Sequence, residues 1–438
     1  MIVEIAYGRG ALAVNLPQDA EVTVIRKNRL TKLRHPRAAV VRALNNPIGS
    51  PPLAELARGR RSACILICDV TRPAPNHLFL RPLIVELLRV GVPADRITVL
   101  VATGLHRPNL GSELEELVGD PWVLANVQVV NHTARCDADH VDLGRTTGRG
   151  TPVKIDRRFV EADLRIATGL VEPHFMAGYS GGPKVVAPGV AHADTIRTFH
   201  SARFMEDSGA RQCNLQGNPL REEQLEIVGM IGEIYGLNVV LDESRDLCQV
   251  CFGEIVASHL AAVDFARHSA EVPVSRRFKT VVTCAAGHPL DKTYYQTVKG
   301  MVAPMDILEP GADLIVASAC SEGLGSKEFR AAQRRLLELG AEAFLEGLKR
   351  KTLADIDEWQ TEMQLKPMCR ARIALYTQGL SEDDRRLTGV NLVSSLEQAV
   401  QESFERNGRA AIAVIPEGPY VVPFYAPSKA QRASKTRP

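Results

Sequence analysis

Residues 64–103 read CILICDVTRPAPNHLFLRPLIVELLRVGVPADRITVLVAT. Two short apolar, β-branched runs, 64–70 and 96–103, flank residues 78–90, where apolar side chains recur at helical spacing until Gly91. Strand, helix, strand at this separation predicts a βαβ unit and a parallel sheet. Residues 127–132 and 164–171 extend the series as further buried strands. A second series follows at 279–285, 312–319, 372–377 and 410–415, with a long helical stretch at 327–349 inside it. The expected fold is therefore α/β, with two domains, largely parallel sheets and an active-site cleft between the domains. Residues 1–272 are assigned to the first domain and 278–408 to the second. Residues 270–277, with Pro273 and no strong pattern, read as the linker. A last strand within 409–425 is compatible with either domain, and 426–438 read as a basic, disordered tail.

The composition excludes several classes. Of 438 residues, 45% are hydrophobic and 24% charged, close to the globular average, which disfavours general disorder. Lys and Arg total 53 against 51 Asp and Glu. Four of those cations (Lys429, Arg432, Lys435, Arg437) lie in the acid-free tail, leaving about −2 for the rest. Neither nucleic acid nor an anionic membrane is called for as a partner. No apolar run reaches the roughly 20 residues needed to span a bilayer. The N-terminal MIVEIAY lacks the basic and long apolar regions of a signal peptide. Nine scattered cysteines, several inside apolar runs, suit reduced thiols and a cytoplasmic location. Cys248 and Cys251 form a lone CxxC with no second pair to complete a zinc ribbon.

In open α/β sheets, ligands bind beyond the carboxyl ends of the strands. Three strand ends of the first domain carry polar or titratable residues: Asp69 and Arg72, then Thr103, Gly104 and His106, then Glu172 and His174. Singly, each has a plain structural reading as a turn cap, a surface ion pair or an incidental loop histidine. Together, at equivalent strand ends, they point to one site. The stretch 178–189, GYSGGPKVVAPG, follows. Its paired glycines, Gly181 and Gly182 after Ser180, permit close backbone approach to a ligand. Lys184 precedes an apolar run, and a lysine amine in such a pocket loses basicity and becomes nucleophilic. His200 closes a helix-like segment, where a neutral imidazole is able to bind a metal. In the second domain, Gln296 and Lys299 are at i and i+3 within 291–300, DKTYYQTVKG, on one helical face suited to a carboxylate or phosphate.

DVTRP, ATGLHRP, EPH, GYSGGPK, the position of His200 and YYQTVKG, in this order, resemble the nickel-dependent lactate racemase family of 2-hydroxyacid racemases and epimerases. The resemblance spans about residues 1–425. It implies a nickel-pincer nucleotide, a pyridinium mononucleotide derivative loaded by dedicated biosynthetic enzymes and tethered at Lys184, with His200 on the nickel. It implies His106 and His174 as the acid/base pair. Asp69, Thr103, Gly104, Ser180, Gly181 and Gly182 would lie along the cofactor. Arg72, Tyr295, Gln296 and Lys299 would contact a small 2-hydroxyacid, with Tyr294 adjacent to Tyr295 as a competing match. The implied reaction passes hydride from C2 to the cofactor while a histidine takes the hydroxyl proton, then returns both to the opposite face. Lactate is the first expectation for the substrate, with malate or a sugar acid as alternatives. Trp359 is a candidate pocket wall or a core residue. Two other readings remain open: a non-redox metal hydrolase using the same three histidines, and a cofactor-binding sensor without catalysis.

Overall fold

The computed structural model describes residues 1–72 and 74–427. The chain divides into two compact units. One comprises residues 29–200 with 206–268. The other comprises 1–28, 201–205 and the chain from 269 onward.

The first unit is built on a six-stranded sheet in the spatial order Leu247–Glu254, Tyr235–Leu241, Leu164–Leu170, Ala63–Cys68, Ile97–Ala102, Gln128–Asn131. All neighbours are parallel except the first pair. Every residue of Ala63–Cys68 is buried, as a strand covered on both faces requires. The helix Asn76–Arg89 lays Phe79, Leu80, Leu83, Ile84 and Leu87 into the same core as Ile65, Ile67, Val99 and Val101. Gly91, at φ +98°, follows the end of that helix. Numbered along the chain, the five parallel strands run 3-2-1-4-5. Connections therefore diverge between Ala63–Cys68 and Leu164–Leu170, which opens a crevice at the carboxyl ends of these two strands.

The second unit has a wholly parallel six-stranded sheet: Asn391–Val393, Ala371–Tyr376, Leu308–Ala317, Phe278–Cys284, Ile412–Ile415, Val22–Val24. Alternate residues serve opposite faces. Val281, Leu314, Ile373 and Ala413 enter one core cluster, and Val282, Ile315, Ile412 and Val414 the other.

Several boundaries differ from the sequence expectation. Residues 1–28 do not belong with the first domain. Their hairpin, Ile2–Tyr7 with Gly10–Asn15, buries Val3, Ile5, Val14 and Leu16 against the second sheet, and Val22–Val24 pairs with Ile412–Ile415. The strand Ile412–Ile415 stays in the second unit. The supposed linker contains the strand Glu271–Val274, paired in parallel with Val422–Tyr425. The stretch 327–349 is two helices, Lys327–Leu339 and Ala341–Lys349, parted at Gly340 with φ +78°. The tail assignment lies, from residue 428, outside the described residues. Cys248 and Cys251 are buried on the strand Leu247–Glu254. Among the described residues, no third His, Cys, Asp or Glu side chain joins them as a metal-ligand set.

Candidate active site

Asp69, the first residue beyond Ala63–Cys68, is buried. Its Oδ2 accepts the Nδ1–H of His106 at 2.6 Å, and its Oδ1 accepts the Thr71 hydroxyl at 2.7 Å. Burial alone would raise this carboxyl. The charge and hydrogen bond of His106, with Thr71 and Arg72, outweigh that and hold it below the usual carboxylate range. An ionised Asp69 places the His106 proton on Nδ1 and the lone pair on Nε2. The half-exposed His106 is thus set as a base.

His174 has the opposite arrangement. It is buried in the short bridge Pro173–His174 with Gly178–Tyr179. Its Nδ1 accepts backbone N–H groups from Ala177 at 3.1 Å and Met176 at 3.4 Å. The neutral ring therefore carries its proton on Nε2. Two histidines, from strand ends on either side of Ala63–Cys68, are held in complementary tautomers, one to accept and one to donate.

Lys184 sits in the short helix Pro183–Val186, begun by the Gly181–Gly182 turn. Desolvation, with the positive charge of Arg72, lowers its amine to about 7, against the opposing influence of Cys68, Asp69 and Glu172. A lysine so lowered is a nucleophile at neutral pH. His200 caps the helix Ala193–Phe199 and donates its Nδ1–H to the Ile196 carbonyl at 2.8 Å. That bond directs the lone pair to Nε2, the pattern of a metal-ligating histidine. Burial, opposed by the Ile196 carbonyl and assisted by the Lys184 charge, lowers His200 to about 4, so the ring is neutral. Asp69, Arg72, Lys184 and His200 therefore share one electrostatic environment.

Other expected residues have structural tasks. Thr103 donates its hydroxyl to the His132 carbonyl at 3.0 Å, and Ser180 donates to the Leu170 carbonyl at 2.7 Å. The Gly104 N–H bonds the Gly189 carbonyl at 2.9 Å, tying the second strand end to the end of the lysine loop. Arg72 forms an ion pair with Glu172. Glu172 stood in a strand-end motif of the sequence without a task of its own, and it supplies the counter-charge that a partly buried arginine such as Arg72 requires. Among the described residues, no three His, Cys, Asp or Glu side chains gather as a metal-ligand set. A hydrolase binding metal through His106, His174 and His200 together thus finds no structural support.

In the second unit, Tyr295, Gln296 and Lys299 lie on the helix Tyr294–Val302, capped by the Thr293 hydroxyl. The two tyrosines separate clearly. Tyr294 is fully buried and gives its hydroxyl to the Thr388 carbonyl at 2.7 Å, a core role. Tyr295 is partly exposed, and its hydroxyl accepts the Trp359 Nε1–H at 3.3 Å. The Gln296 Oε1 is buried without a hydrogen-bond partner. An unsatisfied buried carbonyl of this kind is more costly than a paired one.

A largely parallel sheet whose carboxyl ends carry Asp69, His106, His174 and a desolvated Lys184 has the architecture and the site placement of an α/β enzyme. Residues 7–212 match the family model "Lactate racemase N-terminal domain" and residues 275–422 the "Lactate racemase C-terminal domain". The lactate racemase of Lactiplantibacillus plantarum is 32% identical over 383 residues, 86% of this chain and 89% of that protein. That of Thermoanaerobacterium thermosaccharolyticum is 30% identical over 434 residues, covering 96% and 98%. The solved apoprotein of lactate racemase from T. thermosaccharolyticum superposes with TM-score 0.89 at 28% identity, covering 97% of this chain and all of that one. A Thermotoga maritima protein shares the fold with TM-score 0.68 at 17% identity. The chain belongs to the lactate racemase family, a family of isomerases.

Proposed function

We propose that this protein is a racemase of a short-chain 2-hydroxyacid, lactate first, working with a covalently held nickel-pincer nucleotide. The observation that carries the reading is Lys184, a partly buried amine lowered to about 7 beside a histidine fixed in its ligating tautomer. These donors fit the group. Lys184 would tether it and His200 Nε2 would ligate nickel. The turn at Gly181 and Gly182 would let backbone approach it. When bound, the cofactor supplies a hydride acceptor, so the C2–H bond breaks without forming a dianionic carbanion.

The protein's own groups handle the proton and the substrate. His106 takes the hydroxyl proton at Nε2, and Asp69 stabilises the resulting imidazolium through Nδ1. His174 returns a proton from Nε2 to the oxygen on the opposite face. After the transfer His106 holds one extra proton and His174 lacks its Nε2 proton, so return of a proton from His106 to His174 through solvent resets the pair for the next turnover. Arg72, now paired with Glu172, would turn to the substrate carboxylate, and Gln296 and Lys299 are its proposed further contacts. Fixed cations would hold the carboxylate while the transient 2-oxoacid rotates.

The decisive test is intact-mass measurement of protein co-expressed with the cofactor-making enzymes. A covalent adduct on Lys184, absent from Lys184→Ala, is expected. An unmodified Lys184 in fully loaded conditions overturns the assignment. A panel of enantiopure 2-hydroxyacids with chiral separation then identifies the substrate, and no exchange of stereochemistry by loaded protein would leave only a binding role.

A further inference from the structure

A buried polar group lies behind the lysine loop, and none of its members has a task in the reaction. The helix Ile255–Ala270 carries Ser258 and His259, both fully buried. His259 donates its Nε2–H to the Ser180 carbonyl at 2.9 Å. Its Nδ1 is buried and has no hydrogen-bond partner among the described residues. Burial first, then the Arg221 charge, lowers the ring to about 3 against the Ser180 carbonyl, so it stays neutral with its proton on Nε2. A side chain that merely filled this space would be better apolar, because a buried nitrogen without a partner is destabilising. Asn238 adds a second bond. Its Oδ1 accepts the Gly182 N–H at 2.9 Å, and its Nδ2 donates to Ser258 Oγ at 3.2 Å.

The loop is seated closely on these groups. Gly182 has φ +50°, and a Cβ there would lie 2.5 Å from His259 Cγ. One residue earlier, Gly181 has φ +79°, and its Cβ would lie 3.0 Å from Asn238 Oδ1. The turn then passes directly to the lysine, whose N–H bonds the Gly181 carbonyl at 3.2 Å. A shift of Ser180 or Gly182 therefore moves Lys184.

We propose that His259 and Asn238 are positioning residues that clamp the Ser180–Gly182 turn from behind and so fix where the Lys184 amine stands. The proposal rests on Lys184 being the anchoring amine. His259 acts on the carbonyl of one residue and Asn238 on the amide two residues later, so the two bonds fix both the place and the tilt of the turn. Neither residue touches the substrate.

The test compares His259→Leu, which keeps bulk and removes the donor, with His259→Gln, which keeps an N–H donor within reach of Ser180. The first readout is acetylation of Lys184 by an N-hydroxysuccinimide acetate in the apoprotein at neutral pH, followed by peptide mass spectrometry. An amine released into water is protonated and slow, so His259→Leu should lower the Lys184 rate by about tenfold or more, and His259→Gln should stay within about twofold of wild type. Equal or faster labelling in His259→Leu, or no recovery in His259→Gln, overturns the clamp. If His259→Leu does not fold by thermal melting, Asn238→Ala is read by the same criteria. The second readout is the loaded fraction by intact mass after co-expression. Equal loading of wild type and His259→Leu overturns the clamp. Absence of an adduct from wild type instead overturns the anchor assignment, while the acetylation comparison still decides the clamp.

Discussion

Asp69 decides which nitrogen of His106 is basic. The carboxylate needs the Nδ1 proton, so the reactive lone pair is on Nε2. Asp69→Asn keeps the shape and loses the charge, and its amide is able to donate where the carboxylate only accepts. Turnover per loaded enzyme should fall about 10²–10⁴-fold, measured by chiral assay with the loaded fraction read by intact mass. His174→Ala should cost a similar factor without changing loading. Gly182→Ala is a different kind of change. It drives a Cβ into His259, and loss of adduct at Lys184 is expected from mass measurement. These residues were legible from sequence to unequal degrees. The strand-end motifs announced His106, His174 and Lys184 because the fold rule says where to look. The pairing of Glu172 with Arg72, and the parts played by Asn238 and His259, were not legible. Glu172 lies 100 residues from Arg72 and His259 lies 79 from Ser180, and nothing local signals such pairs.

At the scale of elements, the hairpin His140–Arg145 with Pro152–Asp156 is pinned by one carboxylate. Asp156 accepts from His132 at 2.9 Å and from Arg158 Nε at 2.9 Å, and it caps the helix Arg157–Val160. The His132 and Asp156 side chains are fully buried. Burial raises Asp156, but Arg158 and His132 outweigh it and bring the carboxyl to about 2. A folded-state value below the unfolded one stabilises the protein fully above the ordinary carboxylate range. That contribution is lost as pH falls toward about 2. Acid melts should therefore show stability declining over that window. Asp156→Asn should flatten that part of the decline and cost about 3–5 kcal/mol at neutral pH, read by denaturant unfolding. Four strands of each sheet were legible because their apolar β-branched runs are bounded, whereas Tyr235–Leu241, Leu247–Glu254, Val22–Val24 and Asn391–Val393 were not read as strands. Glu271–Val274 was not, since its edge position leaves three of its four residues partly or fully exposed and Pro273 reads as a breaker. The stretch 327–349 looked continuous because its apolar spacing persists across Gly340.

At the scale of the whole molecule, the chain's two ends are built into one sheet. Val22–Val24 and Ile412–Ile415 are neighbours although nearly 400 residues apart. Sequence order alone places residues 1–28 with whatever follows them, which is why the domain boundary was misplaced. Ile5 is 1% exposed within the cluster that holds Val282 and Val414. Ile5→Ala should cost about 2–5 kcal/mol. Hydrogen exchange should show lost protection in peptides covering 278–284 and 412–415, and unchanged protection in 63–68. Pairing of Val22–Val24 with Ile412–Ile415 also sets a timetable for biosynthesis. The hairpin Ile2–Tyr7 with Gly10–Asn15 leaves the ribosome with its apolar face bare, well before Phe278–Cys284 and Ile412–Ile415 exist to cover it. Residues 29–268 hold their own sheet and core, so that middle portion is free to fold during the wait. That hairpin is thus among the last segments to find its place, and at about 5–20 residues per second Val3, Ile5, Val14 and Leu16 stay uncovered for on the order of tens of seconds.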